Sequence, residues 1–488
     1  MQAFSDILEQ NISFMQQSRS AFITLVSVFF FWGFVAASND ILIPVFKEKL
    51  HLEQWQGQLI SVAFYMAYTV GSIIYLVLSA ANGGDILNKI GYKNGIALGL
   101  CISAVGTLLF YPAAQMVSFG WMISGLFIVA LGFSLQQTAA NPLAIVMGDP
   151  ALGSQRLSLA GGINNIGTTI GPLVVSYAIF GSIGKDLKLD DISAVQVPYL
   201  VLGVAFLIVA LIFKLSSLPN KIELGSTGSS DVTGTERKSA LSYPQLSLGM
   251  LAIFLYVGVE VSTASNLPEY MRQYSGINTG GVAPYISLFW GSLMIGRWAS
   301  SAAVFSKSAF QKQLFRVLMP YLAFGIFLLA NYISGSDIRI FLPYSAVVLI
   351  LVIADFLSAG NPARQLVIFS ACGIASLLIG MSTSGLTSLY AFISVGLFCS
   401  TLWPCIFTLA ITGLGKFTNQ GSSFLIMMIM GGGLVSGLQG VLADDKFLGI
   451  RMSYTVGVVC FAYLLYYGIT AGRILKKQGE EIKATTSH

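Results

Sequence analysis

Charge is what this 488-residue chain has least of: Asp, Glu, Lys and Arg together make up 10% of it, against 55% hydrophobic residues. Soluble domains carry roughly 25% charged residues, so little of this chain can fold in water. Histidine is almost absent, with only His51 and His488. The five cysteines, Cys101, Cys372, Cys399, Cys405 and Cys460, all fall in apolar stretches and form no Cys-x-x-Cys pair. They read as small core hydrophobes, not as a disulfide framework. No metal-ligand cluster and no Ser-His-Asp or Cys-His arrangement is present, which argues against metalloenzyme or hydrolase chemistry and against a bound metal or cofactor. No glycine run has phosphate-loop spacing, and nothing points to nucleic acid. The first 19 residues lack a basic n-region, so a cleaved signal peptide is not expected.

What the chain does have is long apolar runs. About 20 such residues cross a bilayer as a helix, and runs this long without alternation are not barrel strands. Six spans are expected near 20–45, 58–80, 94–112, 120–147, 157–181 and 197–216. Eight more follow near 246–268, 281–304, 315–334, 339–357, 364–383, 386–412, 422–443 and 453–472. On this fourteen-span map the side of the termini holds about 17 Lys and Arg and the other side about 8, which places both termini in the cytoplasm. Residues 218–245, rich in Gly, Ser and Thr, read as a flexible cytoplasmic linker between an N-terminal bundle (1–217) and a C-terminal one (246–472), with 473–488 as a tail. Two parallel halves joined by such a linker are a transporter architecture.

The halves echo each other. The first span of each carries an acid, Asp40 and Glu260. Thr138-Ala139-Ala140-Asn141-Pro142 corresponds to Thr401-Leu402-Trp403-Pro404, and the glycines around Asn164 and Asn165 to Gly431-Gly432-Gly433. The repeat needs six spans per half, so a hairpin at about 315–357 is read as an insertion, which leaves the sidedness of all later spans unchanged.

An ionisable group inside a span is costly, and its default reading is functional. Asp40 sits near the outer end of its apolar run, where it is either a cavity-facing site or an interfacial charge. Glu260 lies mid-span. A carboxyl in low dielectric can exchange a proton near neutral pH; the plainer reading is a hydrogen-bonding helix glue. Arg297 caps, pairs or snorkels, with a gating or structural role favoured. The turn 83–94, with Asp85 and Lys89, is either a latch or an ordinary basic inside loop. The amides Asn39, Gln137, Asn141, Asn164 and Asn266 both donate and accept, which suits a polyhydroxylated ligand, and Trp32 is a candidate flat face for a pyranose ring.

At these motifs the chain resembles the fucose–galactose–glucose–proton symporter family of the major facilitator superfamily. Asn39-Asp40-Ile41-Leu42-Ile43-Pro44 is similar to the family's first-span motif, and Thr138 to Pro142 to its fourth-span signature. Arg156-Leu157-Ser158-Leu159-Ala160, Tyr256 to Glu260, and Gly421-Ser422-Ser423-Phe424 also look like family segments. The resemblance implies an all-α major facilitator fold, Asp40 as a proton carrier, and Gln137 and Asn164 as sugar contacts. Two departures stand out. Gln137 occupies a position where the family carries Glu, and the inserted pair exceeds the twelve-span pattern.

The reading is therefore a secondary transporter, monomeric, in the cytoplasmic membrane, importing a monosaccharide with protons through Asp40 and Glu260. The rivals are a sodium-coupled or uncoupled facilitator and, from another class, a sugar sensor without net flux. A drug–proton antiporter fits the amides less well, and an enzyme least.

Overall fold

The computed structural model describes residues 21–35, 54–147, 152–180, 196–216, 239–275, 283–306, 308–333 and 335–480. Asn39 and Asp40 lie outside the described residues. Every described element is helical. In hydrocarbon each backbone N–H and C=O must be satisfied within the segment, and a helix does this.

The N-terminal half contains α1 (Ala21–Val35), α2 (Gln54–Ala81), the short α3 (Ile86–Ile90), α4 (Tyr92–Leu108), α5 (Phe110–Gln115), α6 (Phe119–Val146), α7 (Gly153–Phe180) and α8 (Gln196–Leu215). The C-terminal half contains α9 (Pro244–Tyr274), α10 (Ala283–Phe305), α11 (Ala309–Ile333), α12 (Ser345–Ser358), α13 (Pro362–Ser382), α14 (Gly385–Cys399), α15 (Leu402–Ile411), α16 (Thr418–Met427), α17 (Gly431–Leu442), α18 (Gly449–Ser453) and α19 (Thr455–Lys477). Short breaks split several long rods, so that 92–115, 385–411 and 415–442 each run as one apolar unit. Eleven of the described helical units are long and apolar enough to cross a membrane.

The packing repeats between halves. In the first, α4 lies against α6 and α8, and α2 against α6. In the second, α13 lies against α14 and α19, and α10 against α14. The α1–α7 contact is repeated by α9 and α17. A Cβ on Gly33 would meet Asn164 O at 1.9 Å, and one on Gly431 would meet Phe254 O at 2.0 Å. Both crossings are backbone against backbone, which only a residue without a side chain permits. The motif echoes in the sequence mark these contacts.

The helices α11 and α12 pack on the outside of α10 and α13. They are joined by an ion pair, Arg316 Nε to Asp355 Oδ2 at 2.6 Å, with the carboxylate side chain only 5% exposed. Gln365 of α13 donates to the other carboxylate oxygen at 3.3 Å, and Arg316 also lies 4.2 Å over the Phe356 ring. Removing one partner of a buried pair strands the other charge at a cost of about 3–5 kcal/mol. Asp355→Ala should therefore lower the thermal unfolding temperature in detergent sharply, whereas the paired change Arg316→Met with Asp355→Leu should recover most of it. Equal stability of all three proteins would show that the pair does not hold the hairpin.

Candidate functional site

The two halves meet along a seam that runs from the end carrying the 82–91 turn to about mid-span. One side of it is formed by α2 and α6 against α16. Thr69 donates to Met427 O at 3.0 Å, Ser422 to Thr138 O at 3.0 Å and Ser423 to Ser72 O at 3.3 Å. Tyr92 donates to Asn419 Oδ1 at 2.5 Å, and Asn419 donates in turn to Asn88. The other side is α7 against α10, where the Ser158 and Ser300 hydroxyls are 2.6 Å apart.

Proline organises both sides. Pro142 has no N–H to give to Thr138 O, four residues earlier in α6. That freed carbonyl is the one Ser422 reaches from the opposite half. Pro404 likewise leaves Ser400 O without its helical donor and breaks α14 from α15. Arg297 Nε fills that vacancy at 3.0 Å. The same guanidinium crosses the seam, its Nη1 donating to Gly161 O at 3.0 Å and to Asn165 Oδ1 at 2.9 Å. A Cβ on Gly161 would lie 3.1 Å from that nitrogen, and one on Gly162 2.8 Å from the Trp298 ring. The glycine pair is thus the flat face on which Arg297 and Trp298 sit.

Further along the seam, Gly432 is the meeting point. A Cβ there would touch Val257 and Val261 of α9 and Tyr65 of α2. Glu260 belongs to this turn of α9, is half-buried, and accepts a hydrogen bond from Tyr256. On the other half Gln137, also half-buried, donates at 3.2 Å to the hydroxyl of Tyr68, one turn along α2 from Tyr65. The Trp403 ring stands 6.1 Å from that of Tyr256 and is partly exposed. The Tyr65–Gly432 meeting point thus has Glu260 on the adjoining turn of α9 and, through Tyr68, Gln137 on the other half.

The other candidates are placed differently. Trp32 is buried, and its indole N–H donates to Gln136 Oε1 at 2.6 Å, while Gln136 bonds Ser103 at 3.0 Å. Asn164 spans the α1–α7 crossing, donating to Phe29 O at 2.8 Å. Asn266 bonds its own helix at Ser262 O, 2.8 Å away. Asn141 is buried with its amide nitrogen unpartnered. Asp85 caps α3 through the Leu87 amide at 2.8 Å and accepts from Tyr75 at 2.5 Å, whereas Lys89 donates to Asn82 O. Asp85 and Lys89 are thus not joined to each other. The latch at this turn runs instead through Tyr92, Asn88 and Asn419, which the sequence reading missed. Single hydroxyl and amide side chains carry no spacing signal. Only the proline four residues after an uncapped carbonyl could have pointed to Ser422. Among the described residues no group of His, Cys, Asp and Glu could hold a metal ion.

If the seam is as described, Ser158→Cys with Ser300→Cys should form a disulfide on mild oxidation, seen as altered gel mobility reversed by reductant. Failure to cross-link while each single cysteine remains reactive would place α7 and α10 apart.

No protein-family profile matches the chain. Curated relatives do. The chain is 31% identical over 455 residues to a glucose/galactose transporter of Brucella abortus biovar 1 (strain 9-941), covering 93% of this chain and 94% of the relative. It is 28% identical over 474 residues to the L-fucose-proton symporter of Escherichia coli (strain K12), covering 92% and 93%. Among solved structures it is similar to FucP, a major facilitator superfamily transporter captured in the outward conformation. The TM-score is 0.70 and the identity 26%, over 93% of this chain and 99% of that one.

Proposed function

Because the chain belongs to the sugar–proton symporter family of the major facilitator superfamily, we propose that it imports a monosaccharide, a hexose or deoxyhexose, together with protons by alternating access. It is a transporter and not an enzyme. The observation that carries the proposal is the mid-span seam: Gly432 lies against Tyr65 of α2 and Val261 of α9, Glu260 adjoins Val261, and Gln137 donates to Tyr68, one turn from Tyr65. A sugar hydroxyl both donates and accepts. Gln137 can answer both needs but cannot carry a proton near neutral pH. Proton binding is assigned to Asp40 and Glu260, sugar contact to Gln137, Asn164 and Asn141, with Asn39, Asn266 and Trp32 as further candidates. Arg297, Asp85 and Lys89 are assigned to gating or support. Since Gln137 stands where the family has an acid, an uncoupled or sodium-driven carrier is the specific rival.

We also propose fourteen spans in the cytoplasmic membrane, both termini inside, with the hairpin α11–α12 inserted into a C-terminal bundle that otherwise repeats the N-terminal one. The repeated packing supports this, because α11 and α12 have no partners of their kind in the first half. The 82–91 turn and the closed end of the seam are then cytoplasmic, and the functional unit is a monomer. Single cysteines test the map. Ser336→Cys should react with an impermeant thiol reagent only from outside and Asn82→Cys only from the cytoplasm. The opposite pattern at either site would overturn it.

Function is tested by counterflow in proteoliposomes against a panel of monosaccharides, with and without a pH gradient. Gln137→Ala should weaken sugar binding by about 1–3 kcal/mol, the cost of losing one partner of a buried polar group. Asp40→Asn should abolish uphill accumulation and spare exchange. Wild-type accumulation in Asp40→Asn would remove that residue from coupling, and a response to sodium without one to pH would favour the rival.

A further inference from the structure

Arg297 is a cation in a membrane helix that spends its hydrogen bonds on neutral acceptors although an acid is close by. Glu260, on the neighbouring α9, is near enough to interact electrostatically with the guanidinium. Yet among the described residues the ion pairs are Arg272–Glu269 and Arg316–Asp355, so the two are not in contact. Glu260 is held by Tyr256, and Arg297 by Ser400 O on its own half and by Gly161 O and Asn165 Oδ1 on the other. The Nε bond to Ser400 stays within the C-terminal half when the halves part. It is a pivot, and of the Arg297 bonds only those from Nη1 must break, with the hydroxyl and amide bonds of the seam, for the cytoplasmic end to open.

We propose that Arg297 is the positioning residue through which the charge on Glu260 is felt at the α7–α10 contact: an ionised Glu260 competes with Gly161 and Asn165 for the guanidinium and releases α7. The inference rests on Glu260 as a proton site. A hydrogen bond from a guanidinium to a carboxylate is roughly twice as strong as one to a neutral oxygen, so ionisation tips the competition. A protonated Glu260 leaves Arg297 on α7 and the cytoplasmic end closed. A proton taken up thus favours the state whose binding cleft faces outward.

Other groups cannot easily substitute for Glu260 in this role. The groups that interact electrostatically with it are Tyr256 on its own helix, Arg297 on α10 and Cys399 on α14, and Cys460 of α19 interacts in turn with Cys399. From Phe417 to Ala443, across α16 and α17, there is no titratable side chain, and α2 contributes Tyr65 nearby. Between Ala21 and Val35, α1 has none. The buried amide nitrogen of Asn165 and the Trp298 indole nitrogen, both without partners, leave the α7–α10 contact less than fully bonded, as a reversible clamp requires.

The test reads conformation and needs no sugar or gradient, so the chain could prove to carry another solute without affecting the result. Spin labels are placed at Asn82→Cys and Lys416→Cys, one on each half at the cytoplasmic end, with native cysteines replaced by alanine and the protein in lipid nanodiscs. Distance distributions are recorded between about pH 5.5 and about pH 8.5. The short-distance population should fall several-fold as pH rises. In Glu260→Gln it should stay high throughout, and in Arg297→Gln low throughout. Asn165→Ala, which removes one competing acceptor but no charge, should move the midpoint to lower pH. A wild-type pH response that survives in Glu260→Gln, or a closed end that survives in Arg297→Gln, overturns the proposal.

Discussion

Two backbone carbonyls, Thr138 O and Ser400 O, govern how this protein is put together. Each has been stripped of its helical donor by a proline four residues on. In hydrocarbon such an oxygen cannot stay bare without a cost of several kcal/mol. One is satisfied by Ser422 from the opposite half, the other by Arg297, which then reaches the opposite half itself. The demand of a broken helix for a partner is thus converted into contact between the two bundles. Two contacts of the seam, one on each side, lie where the prolines are.

The seam also differs in kind from the contacts within each half. Apart from Arg297, it is made of neutral hydroxyl and amide groups bonded to carbonyls or to each other. Such bonds contribute only about 1 kcal/mol net each and can be exchanged for water. The permanent contacts are backbone crossings at Gly33 and Gly431, and the Arg316–Asp355 pair in the hairpin. Strong or geometrically irreplaceable interactions hold each bundle together, and weak replaceable ones hold the bundles to each other. That division is what a rocking carrier requires, since the interface must be made and unmade on each cycle while the bundles keep their shape.

Much of this was readable in the sequence, for identifiable reasons. Span positions follow from hydrocarbon thickness, and the described helices fall where the apolar runs do. The echo between the glycines around Asn164 and Gly431-Gly432-Gly433 was visible because Gly167 and Gly431 each lie at a backbone crossing, which demands glycine. The paired roles of Pro142 and Pro404 were visible as motifs but not as physics, because the donor that answers a freed carbonyl comes from a distant helix. For the same reason the sequence could offer Trp32 as a flat face for a pyranose ring but not show that its N–H is bonded to Gln136. The bonds made by Ser422, Tyr92 and Asn419 were not legible, although Ser422 lies in a family-like segment and Tyr92 in the turn read as either a latch or an ordinary loop. A lone hydroxyl or amide becomes significant only once the fold has placed an acceptor opposite it.

The hairpin α11–α12 has a mechanical consequence. Its ion pair and its packing on α10 and α13 fasten it to one half only, and its outer face carries Phe310, Leu322, Leu329, Ile350 and Leu357 exposed, turned to lipid. The C-terminal half therefore has the larger lipid-coated perimeter and the greater viscous drag. When the two halves rotate against each other, the more heavily damped one moves less. In any rotation of one half against the other, the hairpin therefore tilts the division of angular travel toward the N-terminal bundle.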